Sequence, residues 1–113
     1  MTESDISGWH VHVYFDPATR DKAVSLRERI AHELGLQVGS VHDAPVGPHT
    51  QPMFQVIVPV GTVGRAVSWF ALNRDGLVVL MHPNTGKGNG YADHTRHALW
   101  MGKVLEINRA AFG

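Results

Sequence analysis

The chain has 113 residues, 43% of them hydrophobic and 18% charged, with ten Lys plus Arg balanced by ten Asp plus Glu; this is the profile of one globular domain, not of a disordered tail or a fibre. Zero formal charge leaves no field to draw the chain to nucleic acid or an anionic membrane, and no apolar run approaches the about 20 residues that a bilayer crossing needs. The lack of cysteine excludes a disulfide framework, thiolate-bound zinc and a cysteine nucleophile, and a start (Met-Thr-Glu-Ser-Asp) without signal-peptide character points to the cytoplasm.

Residues 1–113 read as a single domain. From Trp9 to Phe15 apolar and polar residues alternate, which places Trp9, Val11, Val13 and Phe15 on one face of a strand and His10, His12 and Tyr14 on the other. Asp16 and Pro17 supply a helix start, and Ala23, Leu26, Ile30 and Leu34 keep helical spacing until Gly35. Leu36 to His42 reads as a short strand weakened by Gly39. The stretch from Asp43 to Pro52, with three prolines, reads as a loop, and Met53 to Val58 as a stronger strand pairing antiparallel with the one before it. Thr62 caps a second helix with an apolar stripe of Val63, Ala66, Val67 and Phe70, ended by Asn73-Arg74-Asp75-Gly76. Leu77 to His82 is a dense apolar strand. After a glycine-rich loop from Pro83 to Gly90, Asp93 is a plausible N-cap for a last helix from about His94 to Ala111, with Gly102 as its flaw.

This order is that of an α+β, ferredoxin-like split βαβ sandwich with an additional C-terminal helix. Its usual strand order, 4-1-3-2, puts the first strand in the centre, with two helices on one face and the histidine face open. A core of this size is modest. With three tryptophans and a C-terminal segment richer in apolar residues than one layer needs, it leads us to expect a homodimer.

The eight histidines carry the chemistry. His10 and His12 lie two apart on one strand face, about 6.5 to 7 Å between Cα atoms. If the fourth strand runs antiparallel to the first, its terminal His82 comes to lie beside His10. Three imidazoles without a thiolate suit Fe, Zn, Cu or Ni and leave coordination positions free for substrate. The bland alternatives are a solvated His-x-His face and a strand-end His82 bonded to a loop carbonyl. Asn84 and Thr85 are placed to orient His82 by a hydrogen bond.

Asp93 can serve as helix cap or as the carboxylate of a facial triad, and His94 beside it is a candidate site residue. His97 reads as a surface or packing residue and His32 as a surface one. His42 and His49 fall at the far end of the sheet from His10, where they either face substrate or stay solvated. The run from His82 to Gly88 superficially resembles a phosphate cradle, but it lacks the required Gly-Lys-Ser/Thr spacing.

The stretches Trp9 to Phe15, Gly47 to Phe54, Asn73 to Leu77, His82 to Gly86 and Asp93 to Thr95 resemble the DOPA 4,5-dioxygenase family, over nearly the whole chain. The resemblance implies a small ferredoxin-like protein and extradiol ring cleavage of a catechol such as L-DOPA, 4,5-cleavage giving a seco-DOPA product. It matches the family's His-x-His to His10 and His12, its His-Pro-Asn-Thr-Gly to His82 through Gly86, and its Asp-His-Thr to Asp93 through Thr95. The implied cofactor is Fe(II), with Zn or another divalent metal possible in the isolated protein, and the implied partners are a small-molecule catechol and dioxygen. In that reading His10, His12 and His82 hold the metal and His94 is the catalytic base. His42, His49, Tyr14 and Asn84 contact substrate, Trp100 joins Tyr14 in walling the ring, and Arg74 or Arg96 meets a carboxylate. The competing class is a non-catalytic or differently specialised small-molecule-binding dimer on the same sheet.

Overall fold

The computed structural model describes all 113 residues. Its elements are β1 (Gly8–Tyr14), α1 (Arg20–Arg29), β2 (Gln37–Val38), β3 (Met53–Val58), α2 (Val63–Asn73), β4 (Val78–Asn84), α3 (Gly90–His94) and β5 (Leu99–Met101). They form an antiparallel sheet of order β2-β3-β1-β4-β5. The first four strands take the expected ferredoxin-like order.

Strand alternation sorts the sheet into two chemically distinct faces. On one, Val11, Val13, Phe54, Val56, Val58, Val79 and Met81 are buried against Ala23, Leu26 and Ile30 from the first helical segment and Ala66 and Phe70 from α2. On the other lie His10, His12 and Tyr14, opposed across the β1–β4 ladder by His82, Leu80 and Val78.

Local chemistry shifts several boundaries. Asp16 does not open α1: its Oδ1 accepts from the Thr19 amide at 2.9 Å and from the Thr19 hydroxyl, closing a turn ahead of Arg20. The helix widens into a π turn over Ile30–Leu34 and stops at Gly35 in the left-handed region, φ 65°. The expected strand from Leu36 to His42 shrinks to Gln37–Val38 plus an isolated bridge between His42 and Met53.

The largest correction concerns the last helix. The additional helix after the fourth strand is only Gly90–His94, and between His94 and Ala111 the chain is otherwise helical only in the short 3₁₀ turn that begins at Arg109. Gly102 adopts φ 94°, which no α-helix accommodates. The free edge of β4 instead recruits Leu99–Met101 as β5, pairing Leu80 with Trp100. The open edge of a sheet outweighs a loose helical spacing.

The histidine face is therefore not open. Leu105 joins Tyr14, Met53 and Leu80 in a second small core, with Trp100 and Ile107 packed against it. The loop before β3 folds back over the same face through a bridge between His49 and Ile107 and a hydrogen bond from the Asn108 amide to the Pro48 carbonyl at 2.8 Å. No helix is long and apolar enough to cross a membrane.

Two residues of α2 test this packing. Phe70 is 0% exposed and Leu72 is 85% exposed. Phe70→Ala is expected to cost about 3–5 kcal/mol in urea denaturation and Leu72→Ala less than about 0.5 kcal/mol. Equal costs would show that the core lies elsewhere.

Candidate metal centre

The register of β1 against β4 places His10 directly opposite His82, with His12 one pleat further along the same face. The Nε2 atoms of His12 and His82 face each other at 3.2 Å. That is near the separation of about 3.4 Å expected for two ligands of one tetrahedral ion at about 2.1 Å per bond. His10 closes the group, its ring centroid 5.2 Å from His82 and 6.2 Å from His12. One nitrogen from each of His10, His12 and His82 falls within a common 4.8 Å.

The loop and α3 bring two more imidazoles. The His49 centroid lies 4.0 Å from that of His12, and the His94 centroid 3.8 Å from that of His82. His12, His49 and His94 form a second group within the same 4.8 Å limit, sharing His12 with the first. Sequence reasoning put His49 at the far end of the sheet and so missed this placement. Tyr14 is buried and its hydroxyl is bonded to His49 Nδ1 at 2.8 Å, which pins the loop histidine above the middle of the strand.

Backbone carbonyls fix the tautomers that matter. His82 Nδ1 donates to the Pro83 carbonyl at 3.0 Å, and His94 Nδ1 donates to the Gly90 carbonyl at 2.7 Å. Each ring, when neutral, therefore presents a bare Nε2 lone pair. Asn84 and Thr85 do not orient His82; the carbonyl of the very next residue does. Since His82 Nε2 can only accept, the His12 proton sits on Nε2, and His12 Nδ1 is left buried without a partner. Burying that nitrogen without a partner costs about 1–3 kcal/mol. A borderline divalent cation suits this all-imidazole donor set, so the residues present fit the implied metal.

Burial, followed by neighbouring imidazoles with His94 foremost, lowers His82 to about 3 and His49 to about 4. Burial also lowers His10, His12 and His94 from the ordinary 6.5. The rings are thus held neutral, as metal ligands and proton acceptors must be.

Asp93 neither caps a helix nor faces the cluster. It lies within α3, 3% exposed, and accepts from the Thr85 amide at 2.9 Å, the Thr85 hydroxyl at 2.8 Å and His97 Nδ1 at 2.8 Å. Burial would raise its pKa, but the bonds from His97 and Thr85 prevail and hold it below the ordinary 3.8. The carboxylate ties α3 to the end of β4, and so ties His94 to His82.

The other expected residues scatter. His42 bridges to Met53, beside Tyr14 and away from His10. Asn84 shares the strand parity of His82 at the end of β4, and its carbonyl accepts from Ser7. Trp100 stacks on Tyr14 at 6.0 Å between centroids. Arg74 spends its guanidinium on the Leu77 carbonyl and Arg96 is exposed; neither borders the principal cleft, which measures about 590 Å³. That cleft lies between α3 and the segment from Val104 to Arg109, and His94 is the only histidine of the cluster on its wall. The cleft-lining residues Tyr91, Glu106 and Arg109 went unnoticed in the sequence because a straight helix through 94–111 would not fold residues 106 and 109 back towards Tyr91.

The profile of the Dopa 4,5-dioxygenase family matches residues 9–111. An uncharacterized 21.2 kDa protein of Botryotinia fuckeliana is 33% identical over 94% of this chain, and DOPA 4,5-dioxygenase of Amanita muscaria is 28% identical over 97% of it. The chain spans only 64% and 51% of the length of those two relatives. The crystal structure of a "putative dioxygenase" from Nostoc punctiforme superposes with a TM-score of 0.92 at 39% identity, over 98% of this chain and 95% of that one.

Acid should weaken the metal-free protein. For histidines whose folded pKa is depressed, such as His49 at about 4 and His82 at about 3, the unfolded chain binds protons below about pH 6.5 that the native state refuses. Their stability contribution is full above the unfolded value and falls away between about pH 6.5 and the folded values. Asp93, also lowered, acts in the same direction at still lower pH. The urea midpoint of chelator-treated protein should fall between about pH 7.5 and about pH 4.5; a midpoint that stays constant contradicts a neutral, buried cluster.

Proposed function

The chain belongs to the Dopa 4,5-dioxygenase family, and from that premise we propose that it is a non-haem iron extradiol dioxygenase. Its substrates are a catechol such as L-DOPA, opened by 4,5-cleavage to a seco-DOPA product, and dioxygen. The observation that carries the reading is the place of His94, at once a member of the buried imidazole cluster and part of the cleft wall. A ring in the cleft meets the cluster through this residue.

His10, His12 and His82 would hold the ion, iron(II) for this chemistry, though zinc or another divalent cation can load the same nitrogens. Bound there, iron(II) supplies Lewis acidity toward the catechol oxygens and a route for electron density from ring to dioxygen. His94 accepts a catechol hydroxyl proton at Nε2, because its Nδ1 proton is committed to the Gly90 carbonyl. His49 stands over His12, held by the Tyr14 hydroxyl. Burial raises the pKa of that hydroxyl, so Tyr14 remains protonated and keeps His49 in place. Trp100, on the cleft wall and stacked on Tyr14, offers an aromatic surface to the substrate ring. The low polarity around His12 and His82, 2% and 1% exposed, keeps water from competing for their lone pairs.

The proposal includes a cytoplasmic homodimer, for which the half-exposed Leu99 on the outer strand β5 is the supporting feature. A monomer mass by light scattering at micromolar concentration removes the dimer and leaves the chemistry untouched.

The roles separate in a paired assay of metal content and oxygen uptake with a catechol. His82→Ala and His12→Ala are expected to lose both metal and turnover, whereas His94→Ala keeps metal and loses about 10²- to 10⁴-fold in rate. Comparing His10→Ala with His49→Ala decides between the two triads that share His12: metal loss in the first variant alone supports the assignment, and loss in the second alone transfers the ion to His12, His49 and His94. Failure of the iron-loaded wild type to cleave any catechol would replace the enzyme by the binding-module reading.

A further inference from the structure

We infer that His49 meets the substrate as a hydrogen-bond donor, with its proton on Nε2, and that it steadies the oxyanion formed when His94 takes a hydroxyl proton. The identity of that oxyanion rests on the ring-cleavage reading; the placement of the proton does not.

The proton is placed by Tyr14. This residue is 2% exposed, and His49 Nδ1, at 2.8 Å, is the one hydrogen-bond partner of its hydroxyl. Burial pushes the pKa of that hydroxyl up, so the phenol keeps its proton. If Nδ1 of His49 carried the ring proton and donated to the phenol oxygen, the phenol O–H would be buried without an acceptor. The arrangement that satisfies both groups has Tyr14 donating and Nδ1 accepting, which puts the ring proton of His49 on Nε2. His94 is set the other way, because its Nδ1 donates to the Gly90 carbonyl at 2.7 Å. The two imidazoles therefore offer opposite polarity, an N–H from His49 and a lone pair from His94, each decided by one partner behind the ring.

Their spacing suits a single oxygen. The ring centroids are 5.6 Å apart, and one nitrogen of each ring lies within 4.8 Å of the other. With Nδ1 turned to Tyr14 in one ring and to Gly90 in the other, the Nε2 atoms are those left for a group placed between them. Nitrogens at that separation can both hydrogen-bond to one oxygen at about 2.8 Å each. A hydroxyl placed there donates to His94 and accepts from His49. When its proton passes to His94 Nε2, the electron pair of the broken O–H bond stays on the oxygen, and the His49 N–H is already aimed at it. A hydrogen bond to an ionised acceptor is about twice as strong as one to a neutral acceptor, so this contact strengthens as the charge forms. Both rings are held beforehand, His49 by the bridge of its backbone to Ile107 and His94 by Asp93 on Thr85.

The same proton placement divides the two groups that share His12. With Nδ1 accepting and Nε2 protonated, neutral His49 has no lone pair left for a cation. His12 is not pinned in this way. Its Nδ1 has no partner, so the proton can move there and free Nε2.

Imidazole nitrogen NMR of the metal-free protein tests the proton directly, with His49→Gln assigning the signals. His49 should show a protonated Nε2 and a bare Nδ1, His82 and His94 the reverse, and Tyr14→Phe should remove the fixed pattern from His49 alone. A proton on His49 Nδ1 in the wild type, or a His49 pattern unchanged in Tyr14→Phe, overturns the inference. Zinc-loaded protein titrated with 4-nitrocatechol under argon tests the donor without turnover. His49→Ala should keep its zinc and bind the nitrocatechol anion about 10- to 100-fold more weakly, with His49→Gln, which still offers an N–H, recovering part of the loss. Zinc loss or unchanged nitrocatechol affinity in His49→Ala also overturns it. If these results hold but the iron-loaded wild type takes up no oxygen with any catechol, the ring-cleavage reading falls and His49 stands as the donor of an anion-binding site.

Discussion

The pairing of β1 with β4 sets His10 opposite His82 and carries His12 to the same face, and everything else at the centre is arranged around that ladder. Side chains alternate along a strand, so a slip of one residue would turn His10 and His12 into the helix-covered core and bring valines to the site. The valines make that slip costly. Val11 and Val13, 0% exposed, are buried by the same alternation that exposes the imidazoles to each other, so the hydrophobic pattern enforces the chemical one. The position of β1 at the centre of the sheet, flanked on both edges, makes its register the most constrained in the molecule.

Crowding neutral imidazoles is the second constraint. A carboxylate near them would raise their pKa and favour protonation, and the one buried carboxylate, Asp93, is occupied by Thr85 and His97. It joins α3 to the end of β4, and the upward pull of its charge on His82 and His94 is outweighed by their burial. The protein thus keeps its clustered imidazoles unprotonated by burial and leaves one nitrogen of His12 unpaired, in a group of side chains that could hold a cation.

Much of this was legible in the residues. Alternation from Trp9 to Phe15 gave both faces of β1, and the order of helices and strands gave the topology that brings His82 to His10. His49 was not legible, because its position depends on a loop whose closure is decided by Tyr14, Ile107 and the Asn108 amide, contacts more than thirty residues apart in sequence. The C-terminal third was misread for a related reason. Ala98, Met101, Val104 and Leu105 have helical spacing, but spacing is a weak local preference, and the unpaired edge of β4 supplied a stronger, non-local one. A left-handed glycine at position 102 was the signal that local reasoning noted and did not follow.

The contact between Phe112 and Gly90 bears on how the protein can be handled. The phenyl ring fills the space that a side chain at position 90 would take, and it also rests on His94, so the end of this segment serves as part of the wall behind the proposed base. Gly113 follows immediately. A bulky fluorescent label on this segment would pull on the wall itself, whereas one on a cysteine substituted at the exposed position of Leu72 on α2, beyond the opposite face of the sheet, would leave it undisturbed.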